Sequence, residues 1–130
     1  MMTAMTQSTA TLYGIRNCDT VKNARQWLTE HSVDHVFHDY KLQGVPAARL
    51  DEWLTVVSWE TLLNRQGTLW RTLDEATRLS VTDAASARGV MLAYPSTIKR
   101  PVVEWSGSGS KDVTVGFKPE VWSARVNAGK

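Results

Sequence analysis

Two β-prone runs bracket an amphipathic stretch near the start of the chain, and this pattern constrains the fold more than any other feature. The first run is Thr11-Leu12-Tyr13-Gly14-Ile15, and it stops at Arg16-Asn17-Cys18-Asp19-Thr20. That segment is rich in residue types that open helices. Beyond it, Val21, Ala24, Leu28 and His31 recur at helical spacing, with Trp27 beside Leu28 and Lys22, Arg25, Gln26 and Glu30 on the opposite face. The spacing predicts a helix of about three turns with one buried face. The second β run spans Val33 to Tyr40, centred on Val36 and Phe37. Strand, helix and strand within about 30 residues form a βαβ unit with parallel strands and a right-handed crossover. Cys18 then falls where a strand turns into a helix.

The rest of the chain divides at Gly44-Val45-Pro46. Pro46 suits the first turn of a helix through Ala47, Leu50, Trp53, Leu54 and Val57. Ser58 to Leu63 restarts a short helix, Asn64 to Thr68 reads as a loop, and Asp74 to Leu79 and Asp83 to Leu92 read as two more helices. β character returns at Pro101 to Trp105 and at Val113 to Phe117, joined by the Gly/Ser turn Ser106 to Ser110. Two such runs around a short turn predict an antiparallel hairpin. Pro119 opens a last helix from Glu120 to Val126, and the tail from Asn127 to Lys130 is expected to fray. The order is β-α-β, helical block, β-β-α. It implies an α/β fold with a four-stranded mixed sheet, flanking helices and an inserted helical lobe. The expected organisation is a flexible N-terminus at 1–10 and a single domain at 11–126. Its core is 11–45 with 95–126, and its helical insertion is 46–94.

With 130 residues, 42% of them hydrophobic and 22% charged, the chain supplies one core rather than two independent ones. The net charge of +2 is small and the signs are interspersed, which argues against direct nucleic-acid binding. The apolar runs are too short for a membrane span. The small, polar start does not resemble a secretory signal. One cysteine excludes an internal disulfide framework and points to the cytoplasm. The six tryptophans lie in different segments, and most read as core or groove wall.

Cys18 is the first candidate for chemistry. At a helix N-terminus a thiol faces unpaired N–H groups and the positive end of the helix dipole, which favour the nucleophilic thiolate. Arg16 and Lys22 add positive charge nearby, and Asp19 opposes it. The alternative is a buried cysteine packing as a small hydrophobe, but Cys18 sits in polar turn sequence. Arg100-Pro101 opens a strand, one of the few places where a sheet tolerates proline. Arg65, Arg100 and Lys118 are basic side chains that could converge on Cys18, and an arginine fork suits oxyanions and carboxylates. His31, His35 and His38 do not have metal-site spacing. A break separates the first two, and the last two fall on opposite faces of a strand.

The run from Tyr13 to Arg25 resembles the active-site segment of the YffB-like branch of the arsenate reductase (ArsC) and Spx superfamily. Phe37-His38-Asp39-Tyr40 is similar to the family's second strand. Leu62 to Arg71, Leu73-Asp74-Glu75, Ile98-Lys99-Arg100-Pro101 and Gly116-Phe117 also match its pattern. The resemblance covers roughly residues 11 to 122 and implies a thioredoxin-like fold. It implies Cys18 as nucleophile, Arg65 and Arg100 as an oxyanion clamp, and a cis bond before Pro101. Asn17, Arg16, Lys22, Pro101 and Lys118 are expected to line the substrate.

Three positions depart from better-known members. Lys118 stands where arsenate reductases carry a third clamp arginine, and Gly14 stands where they carry a histidine. Val21 stands where Spx regulators often carry a second cysteine. The reading that follows is a glutathione-dependent thiol oxidoreductase, with no bound cofactor or metal and with glutathione as cosubstrate, or glutaredoxin as partner. The alternatives are an arsenate reductase drawing on an external thiol, and an Spx-like redox-sensing regulator that binds RNA polymerase.

Overall fold

The computed structural model describes residues 9–106 and 112–128. These fall into two compact units. One runs up to Asp39 and resumes at Arg100, and the other is Tyr40–Lys99.

The first unit is built on a four-stranded sheet in the order β2-β1-β3-β4. Its strands are β1 (Thr9–Gly14), β2 (Asp34–Asp39), β3 (Val102–Ser106) and β4 (Val113–Val115). β1 and β2 are parallel, while β1–β3 and β3–β4 are antiparallel. This is the mixed sheet that the βαβ and hairpin patterns predict. β1 begins at Thr9 rather than Thr11. Thr9 pairs with Asp34 and Ser106, and Ala10 is buried on the face that also carries Leu12. The strand thus extends the two-residue alternation into a stretch whose composition reads as a lead-in. The rest of that lead-in, 1–8, and the Gly/Ser turn at 107–111 lie outside the described residues.

Helix α1 (Asp19–Glu30) buries Val21, Ala24, Trp27 and Leu28. These positions share one helical face. With Ala10 and Leu12 of β1, Val33, and Val103 and Trp105 of β3, they form one apolar cluster. Trp122 completes it from the last helix, Pro119–Ala128. Its ring meets Trp27, Trp105 and Phe117 edge-on, with centroids 4.8–5.5 Å apart. Such T-shaped contacts suit the aromatic quadrupole. α1 ends where Ser32 takes φ +58°, and Val33 N–H reaches back to the Leu28 carbonyl at 2.9 Å. This left-handed closure satisfies a carbonyl of the last turn.

The second unit consists of short helices: α2 (Tyr40–Gln43), α3 (Ala47–Val56), α4 (Trp59–Leu62), α5 (Thr68–Thr72), α6 (Glu75–Leu79) and α7 (Ala84–Ala93). The helix starting at Pro119 is α8. A single 3-10 turn follows α7 at Pro95–Thr97. Ser58, Asp74 and Asp83 cap α4, α6 and α7 with their side chains. Arg88 of α7 grips both carboxylate oxygens of Asp51 on α3, at 2.6 and 3.4 Å. The loop expected at Asn64 to Thr68 is shorter than read, because α5 begins at Thr68. α2 and α5 leave no periodic signal: they are four and five residues long, and α5 has no buried residue. A one-residue bridge, Leu63 to Ile98, draws the two sides of this unit together.

Candidate active site

The register of the sheet gathers most of the candidate residues at one end. Gly14 closes β1 opposite Asp39 of β2, and Tyr13 lies opposite Val102 of β3. Val102 lies opposite Val115 of β4. The loop Arg16–Cys18, the start of β3 at Arg100–Pro101 and the exit from β4 at Gly116–Lys118 therefore leave the sheet from the same end. Backbone hydrogen bonding ties two of them directly, with Gly116 N–H donating to the Pro101 carbonyl at 2.8 Å.

Cys18 is the N-cap of α1. Its backbone is extended, at φ −116° and ψ 124°, its carbonyl accepts from Lys22 N–H at 2.9 Å, and no side chain caps the helix. Cys18 is half-buried and packs against the apolar cluster of the sheet unit. The first-turn amides of α1 thus start at a sulfur rather than at a hydroxyl or carboxylate oxygen, which leaves them able to stabilise negative charge beside it.

The remaining candidates are placed as follows. Arg16 and Asn17 are exposed, and Arg16 Nε lies 3.7 Å from Asp39 Oδ2. Of the two charges expected to act on Cys18, that of Arg16 therefore lies beside a carboxylate. Lys22 is exposed on α1. The Arg100–Pro101 bond is cis, as the resemblance implies, and Pro101 is buried. Lys118 is exposed, and its carbonyl accepts from Val121 and Trp122 at 3.0 Å, so it opens α8. Arg65 belongs to the helical unit. Its guanidinium lies 4.0 Å from Glu60 Oε2 and 5.5 Å from the centre of the Trp59 ring.

Two features of this sheet end carry no local signal in the sequence. Asp39 is only 5% exposed, a buried carboxylate at the end of β2. Gly14 lies so close to α1 that a Cβ there would sit 2.8 Å from Val21 Cγ2. The histidines go to other tasks. His31 stacks on Trp27 with centroids 3.7 Å apart, His35 Nδ1 is 3.0 Å from the Val33 carbonyl oxygen, and His38 lies 5.0 Å from the Tyr13 ring. Among the described residues no group of three or more His, Cys, Asp or Glu side chains is placed to hold a metal ion. No helix there is long and apolar enough to cross a membrane.

Three relatives match the chain over almost their whole length. A Haemophilus influenzae protein is 38% identical over 114 residues, covering 88% of this chain and 96% of its own. The solved structure of a YffB protein is 48% identical with a TM-score of 0.82, covering 90% of this chain and 98% of that one. An arsenate reductase (ArsC) related protein from Brucella melitensis is 54% identical with a TM-score of 0.68, over 89% and 92% of the two chains. The pattern of the ArsC family itself matches residues 13–125. With its thioredoxin-like mixed sheet and its cysteine at the head of α1, the chain belongs to the ArsC family.

Proposed function

We propose that the protein is a glutathione-dependent thiol oxidoreductase with Cys18 as its nucleophile. One observation carries the reading. Cys18 occupies an N-cap that no side chain fills, at the sheet end that also bears Arg100, Pro101 and Lys118. The Cys18 thiolate attacks the glutathionyl sulfur of a mixed disulfide. The S–S bond breaks, the substrate thiol departs as its thiolate and takes up a proton, and Cys18 becomes glutathionylated. A second glutathione, attacking as its thiolate, displaces Cys18 and leaves as oxidised glutathione. The glutathionyl group of the mixed disulfide and one glutathione thiol end as oxidised glutathione, the substrate is released as a free thiol, and Cys18 returns unchanged. The chain has one cysteine, so the resolving thiol is external: glutathione itself or the thiol of a glutaredoxin.

Arg100 supplies a guanidinium at this end of the sheet, where it suits a glutathione carboxylate. The motif resemblance assigns Arg65 to the same clamp. Arsenate reduction is the rival chemistry. Gly14 stands where arsenate reductases carry a histidine, and an added Cβ there would sit 2.8 Å from Val21 Cγ2, which supports the thiol reading over that rival.

The test is turnover of a small glutathione mixed disulfide, with arsenate in a parallel arm. Turnover that Cys18→Ser abolishes supports the reading. Arg65→Ala and Arg100→Ala should each weaken glutathione binding by about tenfold or more, the range for a hydrogen bond to a charged group. Arsenite production without thiol transfer would replace the reading with the rival. Tight binding to RNA polymerase without turnover would replace it with a regulatory role.

A further inference from the structure

Arg65 of the proposed clamp is held only at the surface by its own side chain, beside Glu60 and over the Trp59 ring. It is 49% exposed, and its nearest charged neighbour is a surface glutamate at 4.0 Å. An exposed pair at that distance does little to fix a long side chain. The backbone that carries it is held much more firmly, and one residue does most of the holding. Asn64 Oδ1 accepts from Gln66 N–H at 3.2 Å, and its carbonyl accepts from Gly67 N–H at 3.5 Å. Its own N–H donates to the Thr97 carbonyl at 2.7 Å. Its amide also lies against Gly67, where an added Cβ would sit 2.9 Å from Nδ2. One step back, Lys99 N–H donates to the Leu62 carbonyl at 2.7 Å around the Leu63–Ile98 bridge. The turn 64–67 is thus closed by Asn64 through both its main chain and its side chain, and it is anchored to the segment 97–99. Arg65 rides on it.

We propose that Asn64 is the positioning residue for Arg65, holding its backbone so that the guanidinium is presented to the anionic end of the glutathionyl substrate before binding. This rests on the reading of Arg65 as a clamp residue. An asparagine that bonds the amide two residues ahead mimics a backbone turn, which suits a residue with this task. Pre-ordering the turn lowers the cost of immobilising the arginine in the complex. Asn64 touches no reacting atom, so its contribution belongs in substrate affinity rather than in the chemical step.

The experiment is a double-mutant cycle on the full chain, reading the Kd for glutathione and the KM and kcat for a glutathione mixed disulfide. Asn64→Ala should raise Kd and KM by about two- to tenfold with kcat nearly unchanged. Asn64→Ser should recover part of the loss, since a hydroxyl makes the same turn bond more weakly. Gly67→Ala, which crowds the Asn64 amide and leaves the asparagine in place, should reproduce the KM effect and guards against Asn64→Ala merely unfolding. In an Arg65→Ala background, Asn64→Ala should cost no further affinity. An equal cost with and without Arg65 overturns the proposal, because the asparagine then acts on the fold at large. If Arg65→Ala weakens binding while Asn64→Ala does not, the positioning role alone falls. If Arg65→Ala binds as tightly as the parent, the clamp reading of Arg65 falls and takes this role with it.

Discussion

The helices of the two units start differently. In the helical unit, α4, α6 and α7 begin at Ser58, Asp74 and Asp83, whose oxygens accept first-turn N–H groups. At α7 the arrangement is reciprocal, since Ser86 N–H donates to Asp83 and Asp83 N–H donates back to Ser86 Oγ. α3 and α5 start without a side-chain bond, at Pro46 and Gly67, which have no acceptor to offer. α1 of the sheet unit starts at Cys18, also without a cap bond, although Asp and Thr stand next in the chain. A carboxylate or hydroxyl at that place would steady the helix, typically by about 1 kcal/mol. The sheet unit gives up that local gain and holds α1 through its buried apolar face instead. Departures from a local rule collect where chemistry is done. In α1 the unfilled cap coincides with the thiol.

That contrast predicts different responses in the two units. The largest effect is expected at Trp122, which is 1% exposed and meets three aromatic rings edge-on. Trp122→Ala should cost about 3–5 kcal/mol in urea unfolding, the range for emptying an aromatic site. A cost below about 1 kcal/mol would mean that aromatic packing is not what secures α1 and α8 to the sheet.

A smaller loss, about 1–3 kcal/mol, is expected for Gly14→Ala, because the new methyl meets Val21 at 2.8 Å. Val21 is fully buried and β-branched, so its side chain has little freedom to turn aside. The same substitution in a Val21→Ala background should cost clearly less. Equal costs in the two backgrounds would show that the close approach of β1 and α1 is not what excludes a side chain at 14.

The smallest and most local effect belongs to the caps of the helical unit. A hydrogen bond from the Thr77 hydroxyl holds the Asp74 carboxyl below its ordinary range, and the Ser86 N–H and hydroxyl do the same for Asp83. A carboxyl lowered on folding contributes stability that is complete above its unfolded pKa, near 3.9, and is lost as pH falls through the lowered value. Amide protection in the first turns of α6 and α7 should therefore be unchanged from pH 7 down to about 5 and decline below about pH 4. Asp83→Ala should reproduce the loss in α7 at neutral pH. Protection that stays flat into acid in the parent protein would show that these caps do not hold the helix starts.

Local patterning made much of the sheet unit readable. In β1 the apolar side chains recur every second residue, and in α1 every third or fourth, so the strand, the helix and the turn between them are each specified by neighbours in the chain. Cys18 at the N-cap and Pro101 at a strand start follow from the same reading. In the helical unit α7 was readable because it is ten residues long and buries Ala87, Val90 and Met91. α2 and α5 were not: four or five residues make too few turns to repeat a pattern, whereas the equally short α4 and α6 are announced by Ser58 and Asp74 at their starts. Of the candidate site, the cysteine and the basic residues could be named from residue type and motif. That the segments carrying Cys18, Arg100 and Lys118 leave the sheet from one end waited on strand order.

By itself, then, the sequence determined the elements whose information is local: the βαβ start, the thiol at the head of α1, the capped helices and the closing hairpin. Only the tertiary structure decided that Asp39 is buried within reach of Arg16, that Val21 fills the space above Gly14, and that Asn64 bonds to Thr97. Each joins residues brought together by sheet register, by helix-on-sheet packing or by a one-residue bridge. Such contacts depend on how distant segments meet, and no pattern of neighbouring residues encodes that meeting.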